Sequence, residues 1–363
     1  MDEALVKQRV AGRKTGRKRT VRASASRRNP RRRDKLRVLM ITSEWTEPGS
    51  SRTTHFIRRQ AEFLAKAGVS LDVFAFHGGQ KPLNYLAAWA RVQPRLRSGR
   101  YDVVHAQFGQ SGLLALPRRV PLVVTFRGCD LFGIIDDGHG RPTLRGRLLQ
   151  TASRFVGRRA DAVIIVSEHM RQQLNTSAPV HVIPSGLNLE LFRPYPQAEA
   201  RQKLGLDPTA RLVLFVACPT EARKRYALAQ KAVALLNERL PATLIVGWGV
   251  PHPEIPLYMS AADVLVLTSI QEGSPNVVKE ALACNLPVVS VPVGDVPERL
   301  RDVVGTEVCS DDRPETIAAA LERVLRRGGR IDGRAAVRQL DEHILTQKVI
   351  DIYRSVLKRR GRS

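Results

Sequence analysis

Glu272 and Glu280, with Gly273, Ser274, Pro275 and Asn276 between them, are the residues of this sequence best suited to hold a ligand. Ser274 is a natural N-cap and Pro275 a tolerated first helical residue, so the spacing predicts a helix from here to about Cys284, with Asn285 as a left-handed stop. Val277, Val278, Ala281, Leu282 and Cys284 form its apolar side, and Asn276 and Glu280 share a polar side that continues toward Glu272. Carboxylates only accept hydrogen bonds and suit hydroxyls, whereas a helix N-terminus offers free N–H groups and partial positive charge that suit a phosphate. A ligand carrying both phosphate and diols fits. The same spacing also admits a solvated Glu and Lys on an ordinary amphipathic helix.

Other candidates stand where a doubly wound sheet places its ligands, beyond the carboxyl ends of strands. A strand over 35–42, a helix over 54–67 closed by Gly68 and a strand over 71–76 make a βαβ start. No GxGxxG accompanies it, which removes the usual support for a dinucleotide-binding oxidoreductase. His105 ends a short strand over 102–107, a place where a lone histidine is more often structural than catalytic. Arg127, Gly128 and Asp130 end the next strand, from residue 121. A guanidinium cannot act as a base near neutral pH, so Arg127 reads as a phosphate or acceptor contact. Residues 143–159 make a basic helix with Leu144, Leu148, Phe155 and Leu149, Ala152, Val156 apolar; packing on the sheet is its simpler use, docking on anionic lipid the alternative. After a proline-marked linker the pattern restarts with a strand over 212–217, a basic turn 219–225, a helix over 227–240 and a strand over 242–246. Arg223 and Lys224 in that turn are placed to meet an anion.

Glu272-Gly-Ser-Pro-Asn276 followed by Glu280 resembles the two-glutamate motif of the retaining glycosyltransferases of family 4, with their glycogen-synthase-like donor domain. The flanking segments 258–269 and 285–290 follow the same pattern, and weaker similarity extends over about 36–358. The resemblance implies an α/β fold of two Rossmann-like domains (GT-B) facing a central cleft, with a C-terminal helix crossing back to the first domain. It divides the chain into a basic tail 1–34, an acceptor-side domain 35–190, a donor domain 191–340 and the crossover helix 341–363. It gives Glu272 the donor-sugar hydroxyls, Glu280 the ribose, the backbone of Gly273 to Asn276 the sugar and diphosphate, and Lys224 the diphosphate, with Arg223 as a second cation. It places His105 at the active-site lining and puts Arg127 where histidine is common, while Gly128 and Asp130 match. The first loop, glycine-rich in the family, keeps only Gly49 here. The implied reaction moves a sugar from a nucleotide-diphosphate sugar to a glycan or lipid-linked acceptor with retention. No two aspartates are separated by one residue, so no metal or cofactor is expected, and leaving-group stabilisation falls to the cations and amides. An epimerase or phosphorylase of the same architecture is the alternative among enzymes.

With 363 residues and 43% of them apolar, two ordinary domains are the natural expectation. Four scattered cysteines without metal spacing suggest reduced core thiols. The formal charge is +25, and residues 1–34 carry 13 Lys/Arg against three acids with almost no apolar periodicity. Such an arm suits anionic lipid or a polyanion, which makes nucleic-acid binding the competing class. Without interleaved aromatics the arm offers phosphate attraction alone, and no specific nucleic acid is expected. No apolar run reaches bilayer length and no signal-peptide segment opens the chain, so the expectation is a cytoplasmic protein, soluble or peripheral on the inner face of an anionic membrane.

Overall fold

The computed structural model describes residues 35–45, 55–79, 81–135 and 140–361. The basic tail and Gly49 lie outside them. The first sheet is parallel, in the order β2 (Ser70–Ala75), β1 (Arg37–Thr42), β3 (Val103–Gln107), β4 (Leu122–Phe126), β5 (Ala162–Ile165) and β6 (Val180–Val182). A second parallel sheet runs β11 (Glu307–Val308), β10 (Val288–Ser290), β9 (Val264–Leu267), β7 (Leu212–Phe215) and β8 (Thr243–Val246). Strands buried on both faces read as near-continuous apolar runs, and LVVTF of β4 and VLVL of β9 are buried throughout.

Successive residues of β1 serve opposite faces of the first sheet. Val38 and Met40 join a core that includes Ile57 and Leu64 of the helix His55–Lys66, whereas Leu39 and Ile41 join one that includes Ala88, Val92 and Val156. Topology explains the division. The connection from β1 to β2 runs one way along the sheet, those from β2 to β3 and β4 to β5 the other, and right-handed crossovers then put the helices Pro82–Arg97 and Leu144–Arg159 together on one face.

The C-terminal helix Glu342–Arg359 lies on the face of His55–Lys66, its start capped by Asp341, whose side chain accepts from the His343 amide. Leu345, Val349, Ile352, Tyr353 and Val356 are buried, while Ile344 is half exposed. The helix meets the first sheet at Tyr353, whose hydroxyl lies 2.6 Å from His105 Nδ1, and beyond its end Arg360 pairs with Asp161 at 2.8 Å. Of the four free cysteines, Cys284 and Cys309 are buried, whereas Cys129, which opens the short helix Cys129–Phe132 after β4, is exposed and Cys218, just after β7, partly so, and neither is a core thiol.

His105 does not line the cleft. It is fully buried, with Nε2 2.7 Å from Thr125 Oγ1 and Nδ1 taken by Tyr353, so both ring nitrogens are satisfied inside the protein. Burial, with the Arg127 charge adding to it, pushes its pKa down to about 3. The unfolded chain therefore binds a proton near pH 6.5 that the folded protein refuses until about pH 3. Stability is complete above that upper value and falls as the pH drops through the window, by about 1.4 kcal/mol per pH unit. Urea unfolding of wild type and His105→Gln between pH 7 and 4.5 should show the extra slope in the wild type alone; parallel curves would count against a neutral buried imidazole.

Candidate active site

At the carboxyl end of β7, the turn Ala222–Lys224 is a single 3-10 turn closed by Arg225 in the left-handed region (φ 50°). It is fastened to the end of β9. Thr268 Oγ1 donates to the Lys224 carbonyl at 2.8 Å, Arg225 Nε donates to the Thr268 carbonyl at 2.7 Å, and the Ile270 amide donates to the Arg223 carbonyl at 2.9 Å. This backbone clamp directs both cations onto one oxygen: Lys224 Nζ bonds Glu272 Oε1, and Arg223 Nη1 lies 3.2 Å from it. The Glu272 side chain is only 11% exposed, which would raise its pKa, yet the charges of Lys224 and Arg223 prevail and hold it below the usual carboxylate range.

Beyond Glu272 the helix Asn276–Ala283 begins one residue later than expected, with Pro275 in extended conformation at the cap position. Ser274 does not cap it, because its hydroxyl donates to Asp295 Oδ2 at 2.9 Å. Asn285 ends the segment in the left-handed region (φ 57°), as its sequence position implies. Asn276 Oδ1 is buried without a hydrogen-bond partner. Glu280 is 7% exposed, its Oε1 3.5 Å from His252 Nε2. Burial raises its pKa, but His252, Arg59 and Lys279 outweigh that and lower it. His252 in turn stacks on His55, ring centroids 4.7 Å apart, so a residue of each half meets beside Glu280. The solvated reading of this helix is therefore wrong: Glu280 is buried, and Lys279 is completely so.

From the first sheet, Arg127 reaches the same region half-buried. It donates to Gln107 Oε1 at 2.7 Å and to Ser185 Oγ at 2.7 Å, and stacks over Phe56. Burial pushes its pKa down to about 10, which leaves it a cation at neutral pH. Asp130 is not a surface contact. It is fully buried and accepts the amides of Gly109, Arg127 and Gly128, so it orders the loop that carries Arg127. Gly128 (φ 137°) is needed there because the backbone of Gly273 approaches it: a Cβ on Gly128 would lie 3.3 Å from the Gly273 amide, and one on Gly273 2.6 Å from the Arg127 carbonyl. Ser167 Oγ also donates to the Gly273 carbonyl at 2.8 Å. Glu272, Gly273, Lys224, Arg223 and Arg127 thus gather at facing strand ends of the two sheets, the place where such sheets bind ligands.

Residues 20–186 match a family described as "Glycosyl transferase 4-like domain" and residues 198–327 one described as "Glycosyl transferases group 1". The chain belongs to the family 4 glycosyltransferases. A D-inositol 3-phosphate glycosyltransferase of Thermobispora bispora is 28% identical to it over 287 residues, 67% of this chain and 66% of that one. Its counterpart in Mycolicibacterium gilvum is 28% identical over 298 residues, 70% and 65% of the two chains. This glycosyltransferase-family chain thus spans slightly under two thirds of the length of these relatives. Among solved structures, the sucrose-phosphate synthase of Thermosynechococcus elongatus superposes with a TM-score of 0.73 at 19% identity, covering 90% of this chain and 100% of that one. Anabaena HepE in complex with UDP and glucose does so with a TM-score of 0.66 at 16% identity, covering 88% and 100%. Both share the GT-B fold of two parallel-sheet α/β domains seen here.

Three residues of this glycosyltransferase site were not singled out from the sequence. Lys279 donates to the Ser185 carbonyl at 3.0 Å, and burial, with Arg299 adding to it, pushes its pKa down to about 7. The sequence carried no signal for this: Lys279 stands between Val278 and Glu280, away from the apolar side of Val277, Val278, Ala281 and Leu282. His252 opens a single 3-10 turn (His252–Glu254) and Ser185 lies in a loop, neither with any periodicity, and only the fold brings them to Glu280 and Arg127.

Proposed function

We propose that this chain transfers a sugar from a nucleotide-diphosphate sugar to an acceptor, with retention of anomeric configuration and without a metal ion. The observation that carries the reading is the largely covered Glu272 carboxylate held by Lys224 and Arg223 at the entrance to the helix Asn276–Ala283. In this reading the donor diphosphate takes over both cations and the amides of Gly273, Ser274 and Asn276, which neutralise charge as the nucleotide departs. Glu272, released from them, accepts hydroxyls of the donor sugar, and Glu280 accepts those of the ribose. Arg127, across the cleft, is the contact for an anionic group of the acceptor or donor. Neither glutamate needs to form a covalent bond. HepE was solved with UDP-glucose, which makes a uridine diphosphate sugar the first donor to try. The relatives are named for D-inositol 3-phosphate, so a phosphorylated polyol stands beside a glycan or lipid-linked acceptor. We place the reaction in the cytoplasm.

The test is thermal unfolding with UDP-, GDP-, ADP- and dTDP-sugars, with and without EDTA. One donor at a hundred times its dissociation constant adds about 2.7 kcal/mol, enough to raise the midpoint by several degrees. That shift should survive EDTA and be lost in Glu280→Gln. A shift retained in full by Glu280→Gln would remove Glu280 from the donor site, and a shift abolished by EDTA would overturn metal independence.

A further inference from the structure

The helices Pro82–Arg97 and Leu144–Arg159, on one face of the first sheet, leave large apolar side chains in water: Leu83 is 77% exposed, Leu86 62%, Leu144 76% and Leu148 64%. In the second helix Gly146, Ser153, Val156 and Gly157 are buried and small, which seats it closely on the sheet. The side with Leu144, Leu148 and Phe155 points the other way, so packing on the sheet accounts for only half of its apolar residues. Neither helix contains an acid, while the first carries three arginines and the second five. Arg145, Arg147 and Arg158 have no carboxylate partner among the described residues. Between the helices runs a groove floored by Trp89, Leu113, Leu116 and Phe155, with Arg118 and Arg159 at its rim. Both helices leave the carboxyl ends of their strands, so their leucine-bearing first turns stand on the cleft side of this face.

Scattered exposed leucines need no explanation, but four on two acid-free helices of one face, flanking the short helical segment 109–115, do. We propose that this face rests on an anionic lipid bilayer, with the leucines at the acyl boundary and the arginines on lipid phosphates. Nucleic acid would engage the arginines and leave the leucines in water; an acyl boundary satisfies both. No helix of the described residues is long and apolar enough to cross a membrane, so the contact is interfacial. The docked orientation turns the cleft rim toward the lipid, where a lipid-linked acceptor would be presented; that consequence rests on the transferase reading, the docking itself does not.

The experiment sediments the full chain with phosphatidylcholine vesicles, with and without about 30% phosphatidylglycerol. Wild type should bind the anionic vesicles only. Leu144→Ser/Leu148→Ser should bind them about tenfold or more weakly, at an unchanged thermal midpoint, since those side chains are exposed. Attraction from residues 1–34 is common to both proteins and cancels. Leu148→Trp should show blue-shifted emission with anionic vesicles, which covers the case in which the double variant misfolds. Equal binding by wild type and the folded double variant, or a Leu148→Trp emission that does not move while the protein sediments, overturns the proposal. So does dimerisation that the double variant loses in a chain that ignores vesicles. Donor-induced thermal shifts in the same samples separate this outcome from failure of the transferase reading.

Discussion

Glu272→Gln should transfer sugar about 10²- to 10³-fold more slowly at saturating donor, while its thermal midpoint stays within a few degrees of wild type. Glutamine keeps the shape and can still accept a hydrogen bond, so what is lost is charge. In the free protein Glu272 is the shared counter-ion of Lys224 and Arg223, and it holds both at the entrance to the helix Asn276–Ala283. With glutamine there, Lys224 loses its carboxylate and Arg223 keeps only Glu221, and on the proposed reading the donor sugar loses an anionic acceptor beside its reacting carbon. The first loss weakens donor binding and the second slows the chemical step, so the deficit should fall mainly on kcat. Initial rates over a range of donor concentrations separate the two. A variant with wild-type kcat would show that Glu272 serves the fold of the basic turn and not the reaction.

The largest effect on stability is expected at Arg59. Its Nε lies 3.0 Å from Glu342 Oε2, its Nη2 donates to the Gly186 carbonyl, and the two side chains are 9% and 3% exposed. This ion pair joins the helix His55–Lys66, the segment leaving the first sheet and the first residue of the C-terminal helix. Arg59→Met removes one partner and strands a buried carboxylate, which costs about 3–5 kcal/mol and lowers the midpoint by roughly 4–7 °C. Arg59→Met/Glu342→Met should recover most of that loss, because a pair of apolar side chains replaces the pair of ions without leaving a charge behind. Calorimetry on the three proteins decides it; a single variant that melts with wild type would mean that water reaches Glu342.

The strands β1, β3, β4 and β7 were legible because they are apolar and β-branched over short runs bounded by turns, and both faces of each are covered. The helix of the two glutamates was legible to within a residue. Its cap was not, since Asp295, far along the chain, takes the Ser274 hydroxyl. The helix Pro82–Arg97 escaped notice because Pro94 lies inside it, and Pro314–Arg327 because it carries no chemistry that drew attention. Local sequence could place His105 and Asp130 at strand ends but could not say which way they face. Tyr353, 248 residues from His105, closes the histidine off, and three backbone amides enclose the aspartate.

Gly273 stands between Glu272 and Ser274, and its backbone is also where the second half of the protein touches the Arg127 loop and Ser167 of the first. On the proposed reading, the backbone that grips a donor is also the backbone that joins the lobes. A donor that draws residues 272–276 toward that contact would tighten it, and by reciprocity closure of the lobes would then raise affinity for the donor by the same factor. An acceptor bound only by the first lobe can in this way be felt at the nucleotide without touching it.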